Sequence, residues 1–424
     1  MDPIRVIRGM RDLLPEQTRW WRWMEQRLDG VMDRYGYAEI RTPVLEHTGL
    51  FARSIGQETD IVAKEMYTFA DRDGSSLSLR PEGTAAVVRS FIENNLGKKE
   101  PLHRLFYRGP MFRHERPQKG RYRQFYQLGA ELFGSAHPSA DVEIIEVAVG
   151  CLQAIGLTDF SLELNTQGCP VCRPGYREQL TAYLREHERQ LCTDCRRRLA
   201  SNPLRVLDCK QAACTAVAEA APHLLDHACD DCRQHFDQVR AGLEKLGIGG
   251  RLNHRMVRGL DYYNRTTFEL LAAGLGAQNA VAGGGRYDGL VESMGGIPTP
   301  AVGFAAGLDR IVLLLEQQVA EPERPPLLFI AAQPGYWLET LPLLQQLRQA
   351  GYTAVNDVRQ GSFKSQLKRA DRLGARLVLL LGQDEIEQGT VTIKDMQAPS
   401  DSERKQWQVE RGGLLQEIGG FLER

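Results

Sequence analysis

Between Phe125 and Leu132 an aromatic ring, an amide, a glycine and a carboxylate recur at every second position, as Phe125, Gln127, Gly129 and Glu131. A strand has a side-chain period of two, so these residues share one face while Tyr126, Leu128, Ala130 and Leu132 take the other. The second set suits a core. The first puts an aromatic plate, a hydrogen-bonding amide and an acid on one floor. Alternation of this kind also describes an ordinary strand with one solvated face, and the preceding loop supplies the difference. From Arg113 to Arg123 that loop carries Arg113, Arg116, Lys119, Arg121 and Arg123, with His114, against a single acid, Glu115. Phosphate is the anion such a loop suits. Arg113 closes the outgoing strand, where a guanidinium can bond two phosphate oxygens, and Arg121 stands near Phe125, on which a purine can stack. The pattern predicts a nucleotide lying across an antiparallel sheet.

Other chemistry-bearing positions flank this hairpin. Glu82 and Thr84 stand at a strand-to-helix turn in LRPEGT (Leu79 to Thr84), where short polar groups cap a helix or meet a ligand. Capping explains Thr84, whereas the Glu82 carboxylate beside a hydroxyl suits an ammonium group. From Arg258 to Leu270 strand alternation returns, with Tyr263, Arg265, Thr267 and Glu269 on one face, then a turn at Gly274 to Gly276. Three adjacent glycines, Gly283 to Gly285, let a ligand approach the backbone, without the spacing of a Walker phosphate loop. Arg310 follows a small-residue strand, as a surface helix charge or as a partner for a nucleotide tail.

Eight of the nine cysteines lie between Cys169 and Cys232: Cys169 and Cys172, Cys192 and Cys195, Cys209 and Cys214, Cys229 and Cys232. Three C-x-x-C pairs suit tetrahedral zinc, as one site or two; small core thiols are the plainer reading. Spacing alone leaves the pairing open.

The elements that must position these groups follow from periodicity. After Leu14-Pro15, Trp21, Met24, Leu28, Val31, Met32 and Tyr35 fall on one helical face up to Gly36, and Tyr37 to Thr42 reads as a strand. That pair suits a dimer surface as well as a helix covering its own sheet. A helix from Asp141 to Ile155 precedes strand-like Phe160 to Asn165. Residues 168–247 read as a cysteine-rich helical insertion with one strand run, Leu204 to Leu207. Glu321 to Pro326 is a linker. Beyond it strands and helices alternate as a small α/β domain with a mainly parallel sheet, whose second helix carries the basic stripe Lys364, Lys368, Arg369 and Arg372. The expected division is 1–325, with 168–247 inserted, and 326–424.

A chain of 424 residues exceeds one compact core. With 42% apolar and 25% charged residues it has a soluble globular composition, and its apolar runs have strand length, not membrane length. The N-terminal stretch lacks an apolar export core, so a cytoplasmic address is expected. A net charge of -1 excludes coating nucleic acid with the whole surface and leaves local patches.

The ordered motifs resemble those of class II aminoacyl-tRNA synthetases, specifically bacterial histidyl-tRNA synthetases, over nearly the whole chain. FRHERPQKGRYRQF (Phe112 to Phe125) resembles the second class motif and GFAAGLDR (Gly303 to Arg310) the third. RGLDYY (Arg258 to Tyr263) and GGGRYD (Gly283 to Asp288) resemble the two histidine signatures. The resemblance implies an α+β fold: a class II antiparallel sheet flanked by helices, a helical insertion, and a C-terminal α/β anticodon-binding domain. It further implies a homodimer without membrane attachment that activates L-histidine with ATP and magnesium and charges tRNA(His). Carried over by position, Arg113 and Arg258 flank the α-phosphate and are the catalytic pair. Glu82, Thr84, Gln127, Glu131, Tyr262 and Tyr263, with those arginines, form the histidine site. Arg113, Glu115, Arg121, Phe125 and Arg310 hold ATP, and Arg116 and Gln118 face the tRNA acceptor end. Tyr126 stands where many relatives have His, on the face opposite Gln127, and the cysteine-rich insertion occurs in only some members, so the resemblance does not itself imply zinc. A regulatory subunit of ATP phosphoribosyltransferase, or a synthetase for threonine, proline or glycine, are the competing readings. Arg258 and a complete domain after Pro326 count against the first, and Glu131 with Tyr263 and RGLDYY against the second.

Overall fold

A computed structural model describes residues 3–57, 59–275, 279–399 and 405–423. The chain forms two compact units, Met1–Glu321 and Pro322–Arg424. The first is built on an eight-stranded sheet in the order Ala38–Glu39, His103–Phe112, Gln124–Phe133, Ala301–Gly307, Ala280–Arg286, Asn264–Ala272, Phe160–Thr166 and Gly250–Leu252. All central pairings are antiparallel, and only the short edge strands pair in parallel.

One face of this sheet is the core. Leu128, Ala130 and Leu132 meet residues of helices Pro15–Arg34, Pro138–Ala154 and Leu308–Gln318. Helix Pro15–Arg34 has proline in its first turn, where the missing N–H costs nothing, and buries Trp20, Trp21, Met24, Leu28, Val31 and Met32. Fully burying a side chain such as Leu28 contributes about 1.5–3 kcal/mol. Arg286 and Asp141, both fully buried, tie helix Pro138–Ala154 to the sheet. The other face carries Tyr107, Phe133, Tyr263 and Tyr287 and becomes the wall of the site.

Several expectations change. Leu204 to Leu207 is not a strand: Pro203–Val206 forms a 3-10 turn, because Pro203 fixes a helical φ and the backbone bonds close locally, as from Leu207 N to Leu204 O. Helix Asp230–Lys245 leaves the insertion and returns Phe236, Val239 and Leu243 to the main core. Arg265 does not share a face with Tyr263 and Glu269. It adopts φ +46° beside a register shift, and its guanidinium reaches His235 Nδ1 at 3.0 Å on the helical side of the sheet. The turn expected at Gly274 to Gly276 runs into residues outside those described. A three-stranded sheet of Leu45–His47, Ser76–Leu79 and Thr68–Ala70 was not anticipated.

The second unit has a five-stranded sheet ordered Thr353–Asn356, Leu327–Ala332, Leu377–Leu381, Thr390–Asp395 and Gln406–Glu410. The first three strands are parallel and Thr390–Asp395 runs antiparallel between Leu377–Leu381 and Gln406–Glu410, so four of the five strands share one direction, as expected, and one reversed strand makes the pairings mixed. Strand Gln406–Glu410 escaped notice because its burial alternates weakly and polar residues precede it. Arg369 of the basic stripe is paired with Asp357 at 2.9 Å, while Lys364, Lys368 and Arg372 are exposed.

Candidate active site

Phe125, Gln127, Gly129 and Glu131 descend one face of strand Gln124–Phe133, as the period of two requires. At the open end Arg113, Glu115, Arg121, Phe125, Gln127, Arg258 and Arg310 line a single cleft. Arg113 is held by the Pro81 carbonyl, which accepts from its Nε at 2.9 Å, and its guanidinium carbon lies 5.3 Å from the Phe125 ring centre. Arg258 comes from the segment that precedes strand Asn264–Ala272, pairs with Glu269 and lies 5.8 Å from the Tyr263 ring centre. Its Nε is buried without a partner among the described residues. Glu115 receives Arg121 at 2.8 Å and Arg113 at 3.8 Å. Burial, then the neighbouring positive charge of Arg121, push the Arg310 guanidinium below its ordinary range. A site that strains to hold cations favours an anion.

Deeper in, Glu131 is fully buried and accepts hydrogen bonds from Thr84 Oγ1 at 2.7 Å and from the Tyr287 hydroxyl. Burial raises its carboxyl to about 8, so at neutral pH it is largely protonated. Gly303 lies opposite, and only a residue without Cβ leaves room for this carboxylate. Tyr262 packs against Tyr263 at 4.7 Å and Tyr287 at 5.6 Å between ring centres, closing an aromatic wall. Gln127 Oε1 is buried with no hydrogen-bond partner among the described residues. A buried carbonyl left in that state has a ligand donor as its natural partner.

The expected division of labour between Glu82 and Thr84 is reversed. Glu82 caps the helix Thr84–Glu93, accepting from the backbone N–H of Thr84 at 2.7 Å and of Ala85 at 2.9 Å, whereas Thr84 turns its hydroxyl to Glu131. Each Glu82 oxygen keeps a second lone pair. Burial also raises Glu82, against these bonds. Gly283 makes room for the Arg258 guanidinium rather than for a ligand alone. Arg286, inside GGGRYD, faces away from the cleft into the helical core. Arg116 and Gln118 are exposed on the loop and do not line the cleft; Gln118 forms a backbone bridge with Arg121.

A family model described as histidyl-tRNA synthetase matches residues 9–311, and an anticodon binding domain model matches residues 339–419. The first match spans more than half of the chain. The chain belongs to the histidyl-tRNA synthetase family. A histidine–tRNA ligase of Pelotomaculum thermopropionicum is 48% identical over 412 residues, covering 96% of each chain. That of Alkalilimnicola ehrlichii is 50% identical over 405 residues, covering 95% of this chain and 94% of its own. The crystal structure of apo S. aureus histidyl-tRNA synthetase superposes with a TM-score of 0.82 at 35% identity, covering 98% of this chain and 99% of that one.

Within a histidyl-tRNA synthetase fold, then, sequence reasoning brought the arginines, Phe125, Gln127 and Glu131 to one place and left three supporting roles unassigned. Tyr287 anchors Glu131, Tyr107 fills the space left by Gly83 and Gly129, and Glu269 sets Arg258. Tyr107 sits beside glycines at the facing positions, a large-to-small pattern that was readable.

The cysteines resolve into two groups of four, Cys169, Cys172, Cys229, Cys232 and Cys192, Cys195, Cys209, Cys214, the sulfurs of each lying within 4.8 Å of one another. Cys151 packs in the main core.

Proposed function

We infer that this enzyme of the histidyl-tRNA synthetase family activates L-histidine with ATP to histidyl-adenylate, releasing pyrophosphate, and transfers the histidyl group to the 3′ end of tRNA(His), releasing AMP. The observation that carries the reading is the convergence of Arg113 and Arg258 on one cleft also lined by Gln127, whose carbonyl has no partner among the described residues, with the buried Glu131 further along the same strand. The histidine carboxylate is ionised at neutral pH and is itself the nucleophile, so the first step needs alignment and cations, not a base. In this reading Arg113 and Arg258 neutralise charge growing on the α-phosphate, Phe125 stacks the adenine, and Arg121 and Arg310 hold the departing pyrophosphate. Gln127 and Glu82 accept from the ammonium, with Thr84 holding Glu131 in place. Glu131, with Tyr262 and Tyr263, binds the imidazole, and a side chain that left these groups unpaired would be rejected by as much as about 10⁴-fold.

Magnesium enters with ATP as part of the substrate. Glu115 in the cleft and Glu269 beside it offer the hard oxygen donors it takes, one or two carboxylates with phosphate oxygens completing the shell. In the second step the terminal ribose hydroxyl attacks the carbonyl of the adenylate, a phosphate oxygen takes its proton, and AMP leaves. Arg116 and Gln118, exposed on the loop, face the acceptor end. Residues 1–325 act as the catalytic domain with 168–247 inserted, and 326–424 read the anticodon with Lys364, Lys368 and Arg372 against RNA. The enzyme works as a cytoplasmic homodimer, its insertion stabilised by zinc; among the described residues no helix is long and apolar enough to cross a membrane.

ATP–pyrophosphate exchange with each proteinogenic amino acid in turn tests the reading. Exchange with histidine alone is expected; absence of histidine-dependent exchange, with or without tRNA, overturns it.

A further inference from the structure

We propose that the insertion carries two separate tetrathiolate zinc knots, and that each ties down one flank of the Arg258–Tyr263 loop beside the active site. The first part rests on sulfur geometry. Thiolates about 2.3 Å from a tetrahedral zinc lie about 3.8 Å from one another. The observed separations are 3.7 Å for Cys169 and Cys172, 3.8 Å for Cys169 and Cys229, 3.9 Å for Cys172 and Cys232, and 4.0 Å for Cys192 and Cys209. Thiols kept merely as small apolar residues scatter among their neighbours. Here all eight converge four by four, and each group takes its members from two separate stretches of chain.

The two knots have different structural roles. The first joins the chain entering the insertion to the start of helix Asp230–Lys245, whose flanking Cys229 and first-turn Cys232 are ligands, so it clasps the neck. The second lies within the insertion, around helices Thr193–Ser201 and Ala212–Glu219, and its Cys209 lines a cavity together with Arg121 and Arg310. Beside the first knot Arg173 follows Cys172 directly. It donates through Nε to the Gln167 carbonyl at 2.9 Å and through Nη2 to the Tyr263 carbonyl. The second knot brackets Asn202 and Arg205 between Cys195 and Cys209. Asn202 Nδ2 donates to Asp261 Oδ1 at 3.1 Å, and Arg205 Nη1 to the Arg258 carbonyl at 3.2 Å. The loop that supplies Arg258 and Tyr263 is thus fixed from both ends by segments that the metals hold in place. Arg173 is a positioning residue, and this coupling rests on the assignment of Tyr263 to the histidine pocket.

Metal analysis of the full chain purified under reducing conditions is expected to find about two zinc ions per chain. Cys172→Ser with Cys232→Ser is expected to leave one, as is Cys195→Ser with Cys214→Ser, and cobalt in place of zinc to give a tetrahedral thiolate spectrum. One zinc or none in the unmodified chain, iron in its place, or thiols oxidised to disulfides in the active protein overturns the two-knot assignment. Arg173→Gln is expected to keep both zinc ions and raise the KM for histidine by about 10-fold or more, leaving the KM for ATP within about 2-fold. An unchanged histidine KM overturns the coupling. Should a serine variant fail to fold, the zinc count of the unmodified chain and Arg173→Gln carry the test. Two zinc ions in a chain without histidine-dependent exchange would leave the knots standing and remove the enzymatic reading.

Discussion

Gly303 faces Glu131 across the strand pair Gln124–Phe133 and Ala301–Gly307, and a Cβ at Gly303 would overlap a carboxylate oxygen of Glu131 and crowd the Ala130 carbonyl. The glycine of the third motif therefore holds room for the Glu131 carboxyl, which in the proposed function binds histidine. Gly303→Ala should displace Glu131, raise the KM for histidine by at least about 10-fold, and cost about 1–3 kcal/mol of stability through overpacking. Exchange kinetics and thermal melts check this. A variant with normal histidine KM would mean that Glu131 does not touch the amino acid.

Gln127 separates ligand binding from folding. Its Oε1 has no partner to lose among the described residues, so Gln127→Met removes a buried unsatisfied carbonyl and should leave the melting temperature unchanged or slightly higher. If Gln127 accepts from the ammonium, as proposed, the same change should raise the KM for histidine by roughly 10- to 100-fold with little effect on that for ATP. A melting temperature that falls with no change in KM would assign Gln127 to packing alone.

What was legible before the structure, and what was not, follows from the range of the forces involved. The alternation from Phe125 to Leu132 is local, and it placed Glu131 and Gln127 on the correct face, just as the charge crowding of the loop placed Arg113 and Arg121. Long-range pairings were hidden. Nothing in GGGRYD distinguishes a buried Arg286 aimed at Asp141 from one aimed at phosphate, and nothing local marks Tyr287 as the partner of Glu131. Helix capping by Glu82 was missed because the cap lies one residue further upstream than the commonest position. The partners of the cysteines depend on a fold that brings Cys169 and Cys229 together across sixty residues.

Glu131 gives a pH signature. Burial raises its carboxyl from 4.5 to about 8, so between those values the folded chain retains a proton that the unfolded chain releases. Its contribution to stability is complete below pH 4.5 and is lost as pH rises through about 8. Glu131→Gln cannot ionise and should lose this dependence, gaining on the parent chain as pH rises across the window. Paired melts over that range check it; parallel curves would show that Glu131 is not held protonated.

The two arginines should be alike in catalysis and unlike in folding. Arg113→Gln and Arg258→Gln should each lower the exchange kcat by about 10²- to 10³-fold, the cost of removing one charge stabiliser. Glu115 retains Arg121 when Arg113 is lost, whereas Glu269 loses the guanidinium it pairs with when Arg258 goes. Melting temperature should therefore hold in the first variant and fall in the second. Equal drops in both would show that Glu269 does not depend on Arg258.

Arg286 carries the largest stability prediction. With Asp141 it forms a fully buried ion pair, supported by Asp288 at 3.0 Å and by the Ser135 carbonyl, which accepts from Arg286 Nη1 at 2.8 Å, and His235 Nε2 lies 3.3 Å from the Asp141 carboxylate. Burial pushes the Asp141 carboxyl up, but the neighbouring His235 and the charge of Arg286 outweigh it and hold the group below its ordinary range. A depressed acid stabilises the fold above its unfolded value, near 3.8, and that contribution is lost as pH falls through the lower folded value. Asp141→Asn leaves the buried guanidinium with Asp288 as its one remaining carboxylate and should cost about 3 kcal/mol at pH 7, the low end for breaking a buried pair, whereas Asp141→Leu with Arg286→Met should recover part of it by removing the buried charges. The difference between parent and Asp141→Asn should shrink under acid conditions, where the parent loses the same charge. Denaturant melts across pH decide the matter: a loss under about 1 kcal/mol at pH 7 would mean that the pair is not the pin between helix Pro138–Ala154 and the catalytic sheet.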